Sequence, residues 1–121
     1  MGPVRVAVKR IVPDIGCCKP EETIAFYRDL LELEVVMDHG WIITFAGEEI
    51  ARPQLSVMSR GGSGAPVPDM SIEVDDVDIV YEKAKARGVE IVYAITDEPW
   101  GIRRFYMRDP TGKTLNILAH A

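Results

Sequence analysis

Hydrophobic and polar residues alternate along four short segments of the chain, which predicts four half-buried β-strands. These segments are residues 4–11, 53–58, 69–74 and 114–119. Successive side chains of a strand point to opposite sides, so each strand has two distinct faces. The apolar faces, which we expect to lie under helices, are formed by Val4, Val6, Val8, Leu55, Val57, Met70, Ile72, Val74, Leu115, Ile117 and Ala119. The opposite, mostly polar faces are formed by Arg5, Ala7, Lys9, Gln54, Ser56, Met58, Asp69, Ser71, Glu73, Thr114, Asn116 and Leu118.

Apolar residues at helical spacing predict two amphipathic helices between these strands. The first begins near Pro20, with acidic residues in its first turn, and the second ends near Gly88. Their apolar positions are Ile24, Tyr27, Leu30 and Leu31 in the first helix and Val77, Val80, Tyr81 and Ala84 in the second. The remaining predicted strands are residues 34–38, 41–46, 90–93 and 102–108.

The order strand, helix and three strands occurs twice, on either side of a segment rich in Gly, Pro and Ser. One offset of 62 relates Asp14 to Asp76 (76 − 14) and Gln54 to Asn116 (116 − 54). Two separate landmarks on one offset favour a duplicated βαβββ module. We therefore predict a single α+β domain over the whole chain, with modules at about residues 4–58 and 69–119 joined by a linker at residues 59–68.

Composition narrows the classes of partner. The 121 residues carry a formal net charge of −5, with 47% hydrophobic and 27% charged residues. An acidic chain without a basic patch argues against nucleic acid and anionic membranes as partners. Adjacent Cys17 and Cys18 have no second cysteine pair to form a disulfide framework or a zinc site. With no secretory signal at the start and no membrane-length apolar run, these features predict a cytoplasmic protein.

The polar strand faces suggest a binding site for a small molecule. They are too polar for a dry core, and they fit a cup that holds a polar organic ligand. A solvent-exposed sheet face is the alternative explanation. Two carboxylates, Asp69 and Glu73, lie on one such face, and two neighbouring acids could produce a general base. The alternative for this pair is an ion pair with Arg5 or Lys9 across the sheet.

Three segments of the chain resemble the vicinal oxygen chelate superfamily, which includes glyoxalase I, bleomycin-resistance proteins, fosfomycin-resistance enzymes and extradiol dioxygenases. They are FYRDLL at 26–31, VDDVD at 74–78 and PWGIRRFYMRDPTGKTLNI at 99–117. The resemblance implies two βαβββ modules that form a U-shaped mixed sheet around a site, and it implies a homodimer.

Metal-dependent members of this superfamily use four side chains, typically His, Glu or Gln, to hold a divalent ion. Mapped by motif, the four positions fall at Ala7, Gln54, Asp69 and Asn116, and Ala7 and Asp69 also obey the offset (69 − 7). Alanine has no donor atom, and an asparagine amide replaces the usual anionic oxygen. We therefore expect no cofactor and no metal, although a divalent ion remains a disfavoured alternative.

Several other residues are candidates for the site. The candidate ligand-binding residues are Arg5, Trp41, Gln54, Ser56, Asp69, Ser71, Arg103 and Asn116. Trp41 and Trp100 are alternatively core or dimer anchors, and strand parity alone does not place Arg103. His39 is explained as a turn residue, and His120 is expected at a frayed end, a poor place for a ligand.

Three functions compete. The leading hypothesis is a bleomycin-resistance-like protein that binds a small organic ligand without metal. The second is a glyoxalase-like lyase or isomerase, or a dioxygenase, with an atypical metal or acid/base site for which Asp69 and Glu73 are weak catalytic candidates. The third is an interaction subunit with a vestigial site.

Overall fold

A computed structural model describes residues 5–48 and 53–121 of the chain. Its strands are β1 (Val8–Gly16), β2 (Glu34–Asp38), β3 (Ile42–Ala46), β4 (Gln54–Met58), β5 (Met70–Val74), β6 (Ile91–Asp97), β7 (Ile102–Arg108) and β8 (Thr114–His120). A 3₁₀ turn (Pro20–Thr23) and a π-helix (Ala25–Leu30) follow β1, and one α-helix, α1 (Val77–Ala86), follows β5. Strand pairs are both parallel and antiparallel, so the α+β class with a mixed sheet is confirmed. No helix of the described residues is long and apolar enough to cross a membrane.

The chain divides into two compact units, which are described separately below. The C-terminal unit comprises described residues 5–11 and 68–121, and the N-terminal unit comprises described residues 12–48 and 53–67. The first part of β1 thus belongs to the C-terminal unit and the second part to the N-terminal unit. The predicted modules and linker were drawn from sequence repeats rather than contacts, so their boundaries stay a prediction.

In the C-terminal unit the strand order is β5-β8-β7-β6, with the start of β1 beside β5. β5 runs parallel to β8, and the other two pairs are antiparallel. The buried core under α1 consists of Val74, Val77, Ala84, Phe105 and Ile117. The helix begins at Asp76, whose carboxylate accepts a hydrogen bond from the Ile79 backbone N–H at 3.2 Å. These residues confirm the apolar face that alternation predicts for β5 and β8.

In the N-terminal unit β2, β3 and β4 are antiparallel neighbours, and the end of β1 pairs in parallel with β4. The buried core consists of Ile43, Phe45 and Val57, and Tyr27 packs on Phe45 with ring centroids 5.2 Å apart. In the C-terminal unit Tyr81 packs on Phe105 in the same way, at 4.9 Å. Both units thus bury one aromatic strand residue under one helical tyrosine.

The first predicted helix differs from its prediction. Ile24 and Tyr27 do contact the core, but Leu30 and Leu31 are 65% and 52% exposed. The Leu31 N–H donates to the Phe26 carbonyl at 3.1 Å, which is the i→i+5 bond of a π-helix. The extra residue in each turn rotates both leucines away from the core that α-helical spacing had assigned to them.

The first predicted strand also differs. Residues 4–11 were expected to form it, whereas β1 spans Val8–Gly16. Val4 lies outside the described residues, and Val6 packs against the C-terminal core as predicted. Val8 is 57% exposed rather than buried. The strand extends further because residues 14–16 pair with residues 56–58 of β4, a long-range partner that local alternation does not reveal.

Each unit contains an antiparallel hairpin that includes one of the two predicted amide positions. Ala46 pairs with Gln54 in the N-terminal unit, and Tyr106 pairs with Asn116 in the C-terminal unit. The equivalence of Gln54 and Asn116 stays a prediction.

The parallel pairs do not keep the same offset. Asp14 lies opposite Ser56, and Glu73 lies opposite Leu118, which gives 62 for the last strands (118 − 56) but 59 for the first (73 − 14). β1 and β5 therefore meet their parallel partners in different register, and the equivalence of Ala7 and Asp69 stays a prediction.

Candidate functional site

Cross-strand register assembles one polar face on the C-terminal sheet, on the side opposite α1. Phe105 and Ile117 point to the core under the helix, so the residues that alternate with them point away from it. Three rows of opposed residues form this surface, which we call the polar face. Its rows are Ser71, Asn116, Tyr106 and Tyr93; Glu73, Leu118, Arg104 and Thr96; and His120 with Ile102.

Asn116 lies in the first row and has an unusual environment. Its side chain is buried, at 6% exposure, and its Nδ2 donates to the Ser71 Oγ at 3.0 Å. The other end of the amide, Oδ1, is also buried and has no hydrogen-bond partner among the described residues. A buried polar atom without a partner costs about 1–3 kcal/mol, so it is exceptional in folded proteins.

Arg104 and Glu98 form a buried ion pair beside this row. The two side chains are 4% and 1% exposed, and the Arg104 Nε and Nη2 each lie 2.6 Å from Glu98 Oε2. The guanidinium also donates to the Tyr106 hydroxyl at 3.1 Å, and the Tyr93 hydroxyl donates to Glu98 at 3.2 Å. These additional hydrogen bonds are what a pair of desolvated charges requires.

Aromatic rings surround the Arg104 guanidinium. Its central carbon lies 5.2 Å from the Tyr93 ring centroid, 5.0 Å from Trp100 and 5.1 Å from Tyr106. All three separations are within cation–π range. The charge of Arg104 is therefore balanced by a carboxylate and by three ring faces.

Glu73 connects three elements at the far end of the polar face. Its Oε1 accepts from the Arg10 Nε at 3.0 Å, and its Oε2 lies 2.9 Å from the His120 Nδ1. The Glu73 side chain is 15% exposed, whereas those of Arg10 and His120 are 34% and 57% exposed. A carboxylate with both oxygens engaged holds the imidazole in one orientation.

His120 corrects an expectation from the sequence. It is the last residue of β8, opposite Ile102, and the Ala121 N–H donates to the Gly101 carbonyl at 3.0 Å. The backbone around His120 is therefore paired rather than frayed. Arg5 or Lys9 was the predicted ion-pair partner of this acidic face. The ion-pair partner of Glu73 is instead Arg10.

The structure separates the two carboxylates that were predicted to act together. Asp69 is exposed and its Oδ2 accepts from the Thr114 backbone N–H at 2.8 Å, at the opposite end of β5 from Glu73. Asp69 therefore stabilises the start of β8. The expected pair of acids on one strand is not a close pair, because three residues of extended chain lie between them.

The remaining predicted site residues fall into two groups. Ser71 and Asn116 meet on the polar face, while Trp41, Gln54 and Ser56 belong to the N-terminal unit. Ser56 Oγ lies 2.7 Å from Thr44 Oγ1 in a buried hydroxyl pair. Arg5 is exposed at the start of the described chain.

Arg103 lies on the helix side of the sheet, away from the polar face. Its guanidinium binds Asp78 of α1 at 2.9 Å and Asp97 at 3.2 Å. The hydrogen bond from Arg103 holds the pKa of the Asp78 carboxyl below its usual value. The structure therefore joins Arg103 to α1 and does not bring it together with Asn116.

Comparison with known proteins identifies the family of this chain. Residues 8–117 match the family model described as Glyoxalase/Bleomycin resistance protein/Dioxygenase superfamily. The chain belongs to this superfamily. No curated protein matches the sequence significantly.

Several solved structures share this fold. A glyoxalase/bleomycin resistance protein/dioxygenase superfamily member from Vibrio splendidus 12B01 is 19% identical with a TM-score of 0.63, over 93% of this chain and 99% of that one. Methylmalonyl-CoA epimerase from Mycobacterium tuberculosis is 16% identical with a TM-score of 0.61, over 94% and 87%. A structure described as NAD-dependent benzaldehyde dehydrogenase from Legionella pneumophila is 17% identical with a TM-score of 0.76, over 93% and 100%. At these identities the likenesses show the fold alone.

The four positions at which superfamily members can hold a metal do not fit one in this chain. Ala7 offers no donor side chain, the Asp69 carboxylate binds a backbone N–H, and the Asn116 amide binds Ser71. Within residues 5–48 and 53–121, no group of three or more His, Cys, Asp or Glu side chains could hold an ion. The set therefore has one position without a donor and only one carboxylate, whereas cations that bind oxygen prefer several oxygen ligands.

Sequence reasoning missed Arg104, Tyr106, Tyr93 and Glu98. The signal for the first two was present, because Phe105 is an obvious core residue and its neighbours on β7 must then point to the other side. Tyr93 was hidden by an irregularity in β6, where two residues, Ala94 and Ile95, lie opposite the single residue Phe105 of β7. Glu98 lies in the β6–β7 turn, where alternation gives no information.

Proposed function

We propose that the protein binds a small organic molecule on the polar face and that the Asn116 amide is the main recognition group. The observation that supports this most strongly is the buried Asn116 Oδ1 without a partner among the described residues. Ser71 fixes the amide by accepting from its Nδ2, so Oδ1 is held in position. A ligand N–H or O–H that reached Oδ1 would remove the cost of the unsatisfied acceptor.

The surroundings of Asn116 favour an apolar or aromatic ligand body. Tyr106 is buried beside Asn116 in register, and Leu118 is buried in the next row, so the side chains around the amide are aromatic and aliphatic. Binding sites of this kind combine mostly apolar walls with a few placed polar groups. Because Asn116 is shielded from solvent, a ligand reaches its amide only when neighbouring side chains move.

This function is of the bleomycin-resistance kind within the superfamily, with binding rather than metal chemistry as its purpose. The donor set at Ala7, Gln54, Asp69 and Asn116 supports a metal-free site. Two free thiols, Cys17 and Cys18, are consistent with the reducing cytoplasm as its location. A lyase or isomerase is the alternative, supported by the fold shared with an epimerase.

Replacement of Asn116 tests the proposal. A thermal-shift screen of neutral aromatic amines and amides identifies ligands, because binding to the folded state alone raises its stability. Asn116→Leu is then expected to weaken binding by about 1–3 kcal/mol in calorimetry. Gln54→Leu, at the position of the N-terminal unit that the sequence repeat relates to Asn116, is the matched control and should bind normally. Equal loss in both variants would contradict the assignment of the site.

Elemental analysis separates binding from metal-dependent catalysis. We expect the purified protein to carry less than a stoichiometric amount of Zn, Ni, Mn or Fe. Close to one such ion per chain, lost in Asp69→Ala, would favour the enzyme and overturn the metal-free proposal.

We also propose that the protein is a homodimer. Three large apolar side chains of the first helical segment, Phe26, Leu30 and Leu31, are between 52% and 65% exposed. Clustered apolar exposure of this kind marks association surfaces.

A further inference from the structure

An open cleft at one end of the C-terminal unit has the features of a second binding site. We propose that it binds the carboxylate group of a small organic acid through Arg87 and Arg108. The cleft has a volume of about 400 Å³ and lies between residues 87–90, which follow α1, and residues 108–110 and 112, which end β7 and form the turn before β8. Small-molecule sites commonly have volumes of this order. None of these residues belongs to the polar face, so the proposal does not depend on the role of Asn116.

Hydrogen bonds fix both sides of the cleft. Gly88 ends α1 with a φ of +69°, and its N–H donates to the Lys85 carbonyl at 3.1 Å. On the opposite side, the Asp109 N–H donates to the Lys113 carbonyl at 2.9 Å, and the Gly112 N–H donates to the Asp109 carbonyl at 3.0 Å. The cleft is therefore formed before a ligand enters, which lowers the ordering cost of binding.

Arg87 brings an unpaired positive charge to the cleft. Its backbone N–H donates to the Lys83 carbonyl at 3.1 Å, but its guanidinium has no ion-pair or hydrogen-bond partner within residues 5–48 and 53–121. A guanidinium presents five N–H donors in a planar fork that matches a carboxylate. A cation at this end of α1 also complements the helix dipole, which is a role that needs no ligand.

Arg108 supplies a second set of donors. Its Nε donates to Glu90 Oε2 at 3.1 Å, and its side chain makes no other hydrogen bond in the described part of the chain. Its two terminal nitrogens are therefore available, and a carboxylate can accept hydrogen bonds from a guanidinium side by side. Glu90 holds the guanidinium in place, but its own charge opposes an anion in the same cleft.

The charges of the cleft favour a ligand with a single negative charge. Arg108 is balanced by Glu90, and Asp109 directs its Oδ1 to three donors of its own turn rather than to the cleft. One carboxylate is therefore matched by Arg87, whereas a dianion would place a second negative charge beside Glu90 and Asp109. The half-buried Val89, which packs against the core, offers apolar contact to a compact ligand body.

Three probes test the ligand class. Benzoate carries the carboxylate, benzamide is its neutral analogue of similar shape, and inorganic phosphate is measured at a pH where it is mostly dianionic. Binding is followed by NMR titration of the backbone amides of Gly88, Val89 and Gly112, which line the cleft and give a dissociation constant even for a weak ligand.

Three variants of the cleft and one control identify the groups that bind. The variants are Arg87→Gln, Arg108→Gln and Glu90→Gln. The matched control is Arg60→Gln, which removes the same charge from an exposed arginine of the N-terminal unit. If Arg87→Gln fails to fold, Arg87→Lys replaces it, because lysine keeps the charge but not the planar fork.

We expect benzoate to shift the cleft amides and to bind more tightly than phosphate, and benzamide to leave them unchanged. Arg87→Gln and Arg108→Gln should each weaken benzoate binding about three- to fivefold, a modest loss because solvent screens charges at exposed sites. Glu90→Gln should strengthen it about two- to threefold, because it removes a negative charge from the cleft. Arg60→Gln and Asn116→Leu should leave it unchanged.

Four results would overturn the proposal. Benzamide binding as tightly as benzoate would exclude recognition of charge, and tighter binding of phosphate would exclude the carboxylate class. Benzoate binding that is unchanged in Arg87→Gln would leave this arginine as a partner of the helix dipole alone. Failure of benzoate to shift the cleft amides of the wild-type protein would remove the site, while the role of Asn116 would stand or fall by its own test.

Discussion

The Asp109 side chain stabilises the turn before β8 by hydrogen bonds, and this stabilisation depends on pH. Its Oδ1 accepts from the Thr111 N–H at 2.8 Å, the Thr111 hydroxyl at 2.6 Å and the Lys113 N–H at 3.0 Å. The pKa of Asp109 is lowered, first by the Thr111 hydroxyl and then by the Lys113 backbone N–H. A carboxyl with a depressed folded-state pKa stabilises the fold above its unfolded value of about 3.9, and this contribution is lost as pH falls through the folded pKa.

Thr111→Val tests this account because it removes the hydroxyl donor and keeps the side-chain shape. We expect the pKa of Asp109 to rise toward its usual value, measured from the carboxyl carbon shift in an NMR titration. Asp78, whose pKa is lowered by Arg103 instead, should titrate as in the wild-type protein. An unchanged Asp109 titration would show that the backbone donors alone determine it.

The β6–β7 hairpin contains a buried ion pair. Glu98 lies in its turn, and Arg104 lies on β7 with both charges buried. Removing one partner of such a pair leaves an uncompensated charge, so Glu98→Ala is expected to lower the free energy of unfolding by about 3–5 kcal/mol. Urea denaturation measures this difference.

A surface pair in the same unit supplies the control. Arg108 and Glu90 also join β7 to the chain before β6, at 3.1 Å, but their side chains are 44% and 66% exposed. Glu90→Ala should therefore cost about 0–1 kcal/mol. Similar losses in both variants would mean that Arg104 is solvated when Glu98 is absent.

Alternation of apolar and polar residues predicted correctly the strands whose two faces pack as the alternation requires. Ile72 and Val74 on β5 and Ile117 on β8 pack under α1, and Ser71 and Asn116 meet on the other side, as their parity required. The approach failed where a distant strand or the backbone decided the outcome. β1 was extended by its pairing with β4, and the π-helix exposed Leu30 because of a single longer hydrogen bond.

The candidate site was less predictable than the fold. Asn116 was found because alternation and the repeat both marked it, and Ser71 was found by alternation alone. Arg104 was missed because its neighbour Arg103 fitted the superfamily pattern, although the buried Phe105 between Arg104 and Tyr106 fixes which arginine points away from α1. His120 was set aside as a terminal residue, and only the cross-strand pairing with Ile102 shows that its backbone is held.

At the scale of the whole molecule, the exposed apolar side chains of the π-helix bear on self-association. Phe26 is 53% exposed and Leu30 is 65% exposed, and the hydrogen bond from Leu31 to Phe26 places these residues on adjoining turns. Large apolar side chains gain about 1.5–3 kcal/mol each when fully buried. A dimer in which a second copy of the chain covers this surface would therefore be stabilised by the burial of two or three large apolar side chains.

The double variant Phe26→Ser/Leu30→Ser removes most of that apolar surface. We expect the wild-type protein to sediment as a dimer at tens of micromolar. The variant should form dimers only at a concentration at least about tenfold higher, because a loss of 1.4 kcal/mol already changes a dissociation constant tenfold. Ala94→Lys, an exposed change on β6 of the C-terminal unit, is the control and should leave the dimer intact. A wild-type monomer at this concentration would contradict the dimer. An unchanged dimer in the double variant would mean that another surface holds the two copies together.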